Sequence, residues 1–237
     1  MIKVDAGMGK ASDTGASGYY CHERNEILPL LPERAARILD LGAGAGATSR
    51  WLREIYPDAY IVAVENNADA AAALSACADQ TQIGDIEALD SYLGSYDLVL
   101  CLDVLEHLVS PEHALKRIVD GLPMGATVII SLPNVAHFAV AAKLFLLGRF
   151  TYFDYGIMDR THLHFYTERT ALELATTAGL APVAGIVTLM ASPWYWRIVN
   201  VFAAFLLRRR LAFQFVFASV KSDASKRARI PWKIIYR

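Results

Sequence analysis

The segment ILDLGAGAGATSRWL, residues 38–52, limits this chain more than any other stretch. A short apolar run enters a glycine-rich turn and leaves it as a helix, the opening unit of a parallel α/β sheet. Two registers fit the turn. Read from Gly42, it is G-x-G-x-x-A through Gly44 and Ala47, which suits a dinucleotide loop. Read with Asp40 in front, it is D-x-G-x-G-x-G through Gly42, Gly44 and Gly46, which suits a different adenosine-bearing ligand.

Downstream, strand-length apolar runs alternate with helix-length segments. Strands are expected at residues 37–41, 60–65, 82–84, 97–101, 127–132, 182–189 and 212–220. Helices are expected at 47–55, 69–78, 111–121 and 168–178, the last capped by Thr167 and closed by Gly179. This rhythm predicts a doubly wound, Rossmann-like, mostly parallel sheet. The chain has 237 residues, 54% hydrophobic and 20% charged, enough for one domain with a full core. We assign a flexible N-terminus to 1–17, the domain to 18–220 and a basic C-terminal tail to 221–237. Insertions at 134–166 and 193–208 interrupt the alternation and are read as lids over a pocket.

What each strand delivers to its carboxyl end decides between the two registers. Asp40 closes the first strand, Glu65 the second, and Asp85 and Asp103 follow the third and fourth. A carboxylate within about 4 Å of a phosphate oxygen costs on the order of 4 kcal/mol at an effective dielectric near 20. A row of acids therefore opposes a diphosphate and favours a cation. S-adenosylmethionine, with its ammonium and sulfonium, has that charge. Glu65 would accept from the ribose hydroxyls and Asp85 from the adenine amino group, with the glycines allowing close backbone approach.

At this point the chain resembles the class I S-adenosylmethionine-dependent methyltransferases, through ILDLGAGAGA, VAVENN, GDIEAL, YDLVLCLDVLEHL and ATVIISLPN. The resemblance covers about residues 18–190 and implies a seven-stranded sheet whose last strand is antiparallel. It also implies that Ala43, Asn66, Ile86 and Leu102 line the cofactor beside the acids and glycines. LDVLEHL and DRTHLHFYT look more narrowly like the ubiquinone-pathway and sugar-modifying O-methyltransferases. GYYCHERNEILPLLP is similar to their leading helix, which implies that Tyr20 and Arg24 close over the cofactor, Arg24 near its carboxylate.

Methyl transfer from a sulfonium is an in-line displacement, and a hydroxyl acceptor must also lose a proton. That requires a base, or a cation that lowers the hydroxyl pKa. Five of the six histidines fall between residues 107 and 164: His107, His113, His137, His162 and His164. We select His162 as general base, then His164, which would share its face in a strand-like THLHF, and His107. Asp103, Glu106 and His107 stand at i, i+3 and i+4, and could share one face of a helical turn. E-x-x-E-H clusters hold magnesium or manganese in some similar methyltransferases, where a later histidine completes the site. Asp103 replaces the first Glu and shortens its reach, so we assign no metal. The aromatics Phe150, Tyr152, Phe153, Tyr155, Phe165 and Tyr166 suit a sugar or ring acceptor.

We therefore expect an O-methyltransferase of a glycan, sugar-bearing or other small-molecule acceptor. The alternatives are a quinone or phenolic acceptor, or a non-catalytic S-adenosylmethionine-binding partner subunit. Three scattered cysteines form no disulfide framework, which fits a reducing, cytoplasmic setting. Residues 193–237 hold ten Lys and Arg against Asp223 alone, and include Trp194, Trp196 and Trp232. Such a region suits peripheral contact with the inner face of a membrane rather than a sequence-reading nucleic-acid site. No apolar run reaches the roughly 18 residues that span a bilayer.

Overall fold

The computed structural model describes residues 23–90, 93–189, 209–223 and 230–236. Tyr20, the segment 193–208 with Trp194 and Trp196, and the expected flexible N-terminus lie outside the described residues. Of the C-terminal tail, 224–229 and Arg237 lie outside as well.

The described chain builds an eight-stranded sheet in the order β3-β2-β1-β4-β5-β7-β6-β8. Its strands are β1 (Arg37–Leu41), β2 (Tyr60–Glu65), β3 (Gln80–Ile83), β4 (Leu98–Leu102), β5 (Thr127–Pro133), β6 (Leu180–Leu189), β7 (Ala212–Lys221) and β8 (Trp232–Tyr236). β1 to β5 pair in parallel, and β7 lies antiparallel between β5 and β6. β1 pairs with both β2 and β4, so the strand order reverses there, the point at whose carboxyl ends a doubly wound sheet holds its ligand.

Helices α1 (Ala47–Ile55), α2 (Ala71–Ser75), α3 (Pro111–Gly121), α4 (Phe138–Leu147) and α5 (Glu168–Thr177) complete the fold. The central strands are apolar on both faces because packed elements cover both. Leu39, Val62, Val99 and Val128 pack with Leu115, Ile118 and Leu174 on one side. Ile38, Ile61, Leu98 and Leu100 pack with Leu52 and Ile27 on the other.

Four expectations need correction. The helix expected at 69–78 is a 3-10 turn, Ala68–Ala70, followed by the five-residue α2. Its alanines favour a helix, but Asp79 anchors the chain to β2. The Asp79 carboxylate accepts from Ile61 N at 2.7 Å and pairs with Arg53 at 2.5 Å. The described part of the leading helix is a 3-10 helix, Asn25–Leu30, because Pro29 has no N–H for an α-helical bond. The segment THLHF is no strand.

The sheet also gains an eighth strand inside the expected tail. Trp232–Tyr236 pairs in parallel with β6, and Trp232 lies over Gly185 and against Phe215, ring centroids 5.6 Å apart. One short strand beyond a charged run carried too little pattern to stand out. A Cβ added at Gly185 would sit 2.2 Å from the Trp232 ring, so Gly185→Ala should lower stability by about 1–3 kcal/mol. Chemical unfolding measures this, and an unchanged midpoint would mean that β8 does not dock there.

Candidate active site

The glycine turn between β1 and α1 is built from three left-handed residues, Gly42, Gly44 and Gly46, with φ of 66°, 54° and 83°. Space as well as conformation demands glycine at two of them. A Cβ at Gly42 would meet Val104 Cγ2 at 2.4 Å, and one at Gly46 would meet Cys77 Cβ at 2.8 Å. The turn is tied to β2, since Gly42 N and Ala43 N donate to Val64 O at 2.8 and 3.1 Å. Gly44 N donates to Glu65 Oε2 at 2.8 Å, and Asn67 N to the other oxygen at 2.8 Å. Glu65 thus fixes the loop while its remaining lone pairs stay available to a hydroxyl.

Because β3, β2, β1 and β4 are neighbours in that order, Asp85, Glu65, Asp40 and Asp103 form one row across the sheet edge. Asp40 is buried and accepts from Ser49 Oγ at 2.6 Å. Burial pushes its pKa up to about 6, the Glu65 charge adds to the rise, and the Ser49 hydrogen bond and Arg24 oppose it. Asp85 is exposed and accepts from Glu87 N at 2.8 Å, with buried Ile86 beside it. Asn66 is exposed at the end of β2, and Leu102 is the buried last residue of β4.

Asp103 has φ of 57°, the one positive value at a non-glycine among the described residues. Its side chain is gripped from three elements. Arg24 Nη1 donates to Oδ2 at 2.5 Å, Ser131 Oγ donates to Oδ1 at 2.7 Å, and Gln214 Nε2 donates to Oδ1. Arg24 also pairs with Glu26 at 2.5 Å. Burial works against the Arg24 charge, but Asp103 and Glu26 more than offset it and hold the guanidinium charged. Arg24 therefore reaches the carboxyl edge of β4, through a carboxylate of the protein.

Asp103 is not among the clustered ligand atoms of Glu106 and His107, so the expected i, i+3, i+4 cluster does not form. Instead a 3-10 turn, Leu105–His107, carries Glu106 inward to meet His162. Glu106 O accepts from Leu163 N at 2.8 Å and from His164 N at 3.1 Å, which clips the aromatic segment over this turn. The ligand atoms of Glu106, His107 and His162 all lie within 4.8 Å of one another.

Each imidazole is oriented through Nδ1, His107 to Thr161 O and His162 to Ile157 O, both at 3.2 Å. When Nδ1 carries the donated proton, Nε2 presents its lone pair to the cluster. Buried Glu106 Oε2 has no hydrogen-bond partner among the described residues. Burial, then the Asp103 charge, pushes the Glu106 pKa well above the carboxylate range. Burial and His107 lower that of His162, which favours the neutral ring. One carboxyl and two imidazoles also make a donor set that a divalent cation could use.

His164 does not share a face with His162. It is partly exposed and its Nε2 lies 3.2 Å from Val109 O. His137 caps α4 through Nδ1, which accepts from Ala139 N at 3.3 Å, and His113 lies on α3. Sequence reasoning missed Ser131 and Gln214. Their signal was present, a serine inside the buried run TVIISLP and a glutamine inside AFQFVF.

A family described as a methyltransferase domain matches residues 13–184. The chain belongs to that family, the class I S-adenosylmethionine-dependent methyltransferases. S-adenosylmethionine, not a dinucleotide, is accordingly its cofactor. Methyltransferase str2 of Strobilurus tenacellus is 31% identical over 106 residues, covering 45% of this chain and 38% of the relative. Trans-aconitate 2-methyltransferase of Streptomyces avermitilis is 32% identical over 114 residues, covering 45% of this chain and 42% of the relative. The matches thus span less than half the length of these curated relatives. A solved S-adenosylmethionine-dependent methyltransferase from Archaeoglobus fulgidus shares the fold at a TM-score of 0.61 and 17% identity. The match covers 83% of this chain and 92% of that one.

Placing the cofactor's positive charge against Asp40 favours the ionised carboxylate, so binding should release a proton wherever free Asp40 is protonated. With a free pKa of about 6, affinity should rise with pH up to about 6 and flatten above it, at most about tenfold per unit. Calorimetric titration between pH 5 and 8 measures this, and Asp40→Asn should remove the slope. A slope that persists in the variant would place the titrating group elsewhere.

Proposed function

We propose that the chain transfers the methyl group of S-adenosylmethionine to a hydroxyl of a glycan, sugar-bearing or other small-molecule acceptor, with His162 as general base. The supporting observation is the convergence of His162, His107 and Glu106 at the turn directly after Asp103, on the carboxyl side of β4. A neutral imidazole with an oriented Nε2 can take the hydroxyl proton as the methyl transfers. Burial pushes the Glu106 carboxyl toward its neutral form, which weakens any second charge beside the imidazole. Phe165 lies 6.3 Å from the His162 ring and 5.4 Å from Phe150, forming an aromatic wall suited to a sugar or ring face.

Unpartnered Glu106 Oε2 favours a second reading, in which Glu106, His107 and His162 hold a divalent cation. Such an ion, when bound, would lower the pKa of the acceptor hydroxyl. The quinone or phenolic acceptor and the non-catalytic partner subunit remain the rival functions.

Labelled donor offered with sugar nucleotides, lipid-linked glycans and phenols identifies the acceptor. His162→Ala should lower turnover about 10²–10⁴-fold with cofactor affinity nearly unchanged. Preserved turnover would remove His162 from the mechanism. Loss of activity on chelation, restored by one divalent ion, selects the cation reading. Cofactor binding without S-adenosylhomocysteine formation on any acceptor would support the partner subunit.

A further inference from the structure

Helix α4 has no buried residue. Phe138, Phe145, Leu146 and Leu147 are 63%, 88%, 72% and 63% exposed, a density of open apolar side chains far beyond the scattered ones of an ordinary surface. The patch continues into the following loop, where Phe150, Tyr152, Phe153 and Tyr155 are exposed as well. α4 and the loop share an apolar cleft lined by Ala139, Val140, Phe150, Phe153 and Met158, with Lys143 Nζ 5.4 Å from the Phe153 ring centroid.

The charges around this patch are of one sign over a long stretch. Residues 134–153 contain Lys143 and Arg149 and no acid, and both cations are exposed. Exposed Arg209 and Arg210 stand at the amino end of α4, where Arg209 O accepts from Asn134 Nδ2 at 3.0 Å. Arg209 pairs with Glu168 at 3.0 Å, and in the loop Asp154 is answered by Arg160 at 2.7 Å.

We propose that α4 and the aromatic loop form an interfacial docking surface for an anionic lipid bilayer. A ten-residue helix is about 15 Å long and cannot cross a membrane, and no helix of the described residues is long and apolar enough to do so. Lying flat, it places its phenylalanines and leucines at the acyl boundary, with Lys143 and the neighbouring Arg149, Arg209 and Arg210 among the headgroup phosphates. A protein partner would need acids to match the cationic rim and a matching apolar groove. An anionic bilayer supplies both chemistries without a groove. This surface is distinct from the C-terminal tail, whose Trp232 packs within the sheet. Through Phe150 and Phe165 it is continuous with the histidine cluster, so an acceptor carried on a lipid would arrive beside His162.

The test is co-sedimentation of the full chain with vesicles of phosphatidylcholine, alone and with phosphatidylglycerol. Binding to the anionic vesicles should exceed binding to the neutral ones and weaken with added salt. Phe145→Glu/Leu146→Glu should weaken it about tenfold or more, and Lys143→Glu/Arg149→Glu several-fold. Both variants should keep the wild-type unfolding midpoint and cofactor affinity. No binding by the folded wild type overturns the proposal, as does binding that the Phe145/Leu146 variant retains. A wild-type dimer in sedimentation velocity that this variant dissociates also overturns it, since the face would then belong to a second copy of the chain.

Discussion

Four carboxylates share the adjoining ends of four parallel strands, and the rest of the site is organised around holding that like charge in place. Each acid is held by a different device. Glu65 is spent on the backbone of the glycine turn, Asp40 on Ser49, Asp85 on its own turn, and Asp103 on Arg24, Ser131 and Gln214. Asp40 and Glu65 still feel each other, and Asp40 titrates near 6 as a result of burial and of that charge. A ligand with an ammonium and a sulfonium relieves this tension, whereas a diphosphate aggravates it. On this reading, charge at the sheet edge favours the cofactor before shape enters.

The second consequence lies at the end of β4. With Asp103 turned back toward Arg24, Leu105–His107 tighten into a 3-10 turn capped by Val104, and Glu106 is buried. The aromatic segment 157–166 closes on that turn through two backbone bonds to Glu106 O. One strand end thus carries both an acid of the carboxylate row and, on the turn beyond it, the cluster of carboxyl and imidazole groups that we propose for the acceptor.

The central strands were legible because a doubly covered parallel strand is a short apolar run with sharp ends. β1, β2 and α1 fall on the expected residues, and α5 starts where Thr167 caps it. The row of acids was legible for the same reason, since a strand end fixes where its next residue emerges. The side-chain cluster was not. Glu106 and His162 are 56 positions apart, and their meeting depends on a positive φ at Asp103 that no periodicity reveals. Sequence ranked His162 ahead of His164 but placed both on one face, because a loop clipped by backbone bonds breaks the two-residue alternation assumed for it. The segment read as a pocket lid carries in α4 an apolar helix open to solvent.

The account stands on the preference of this sheet edge for positive charge, and competitive calorimetry tests that most directly. The protein should bind S-adenosylmethionine measurably and NAD far more weakly, and Glu65→Gln with Asp40→Asn should erase most of the difference. Tighter binding of NAD to the unaltered chain would contradict it.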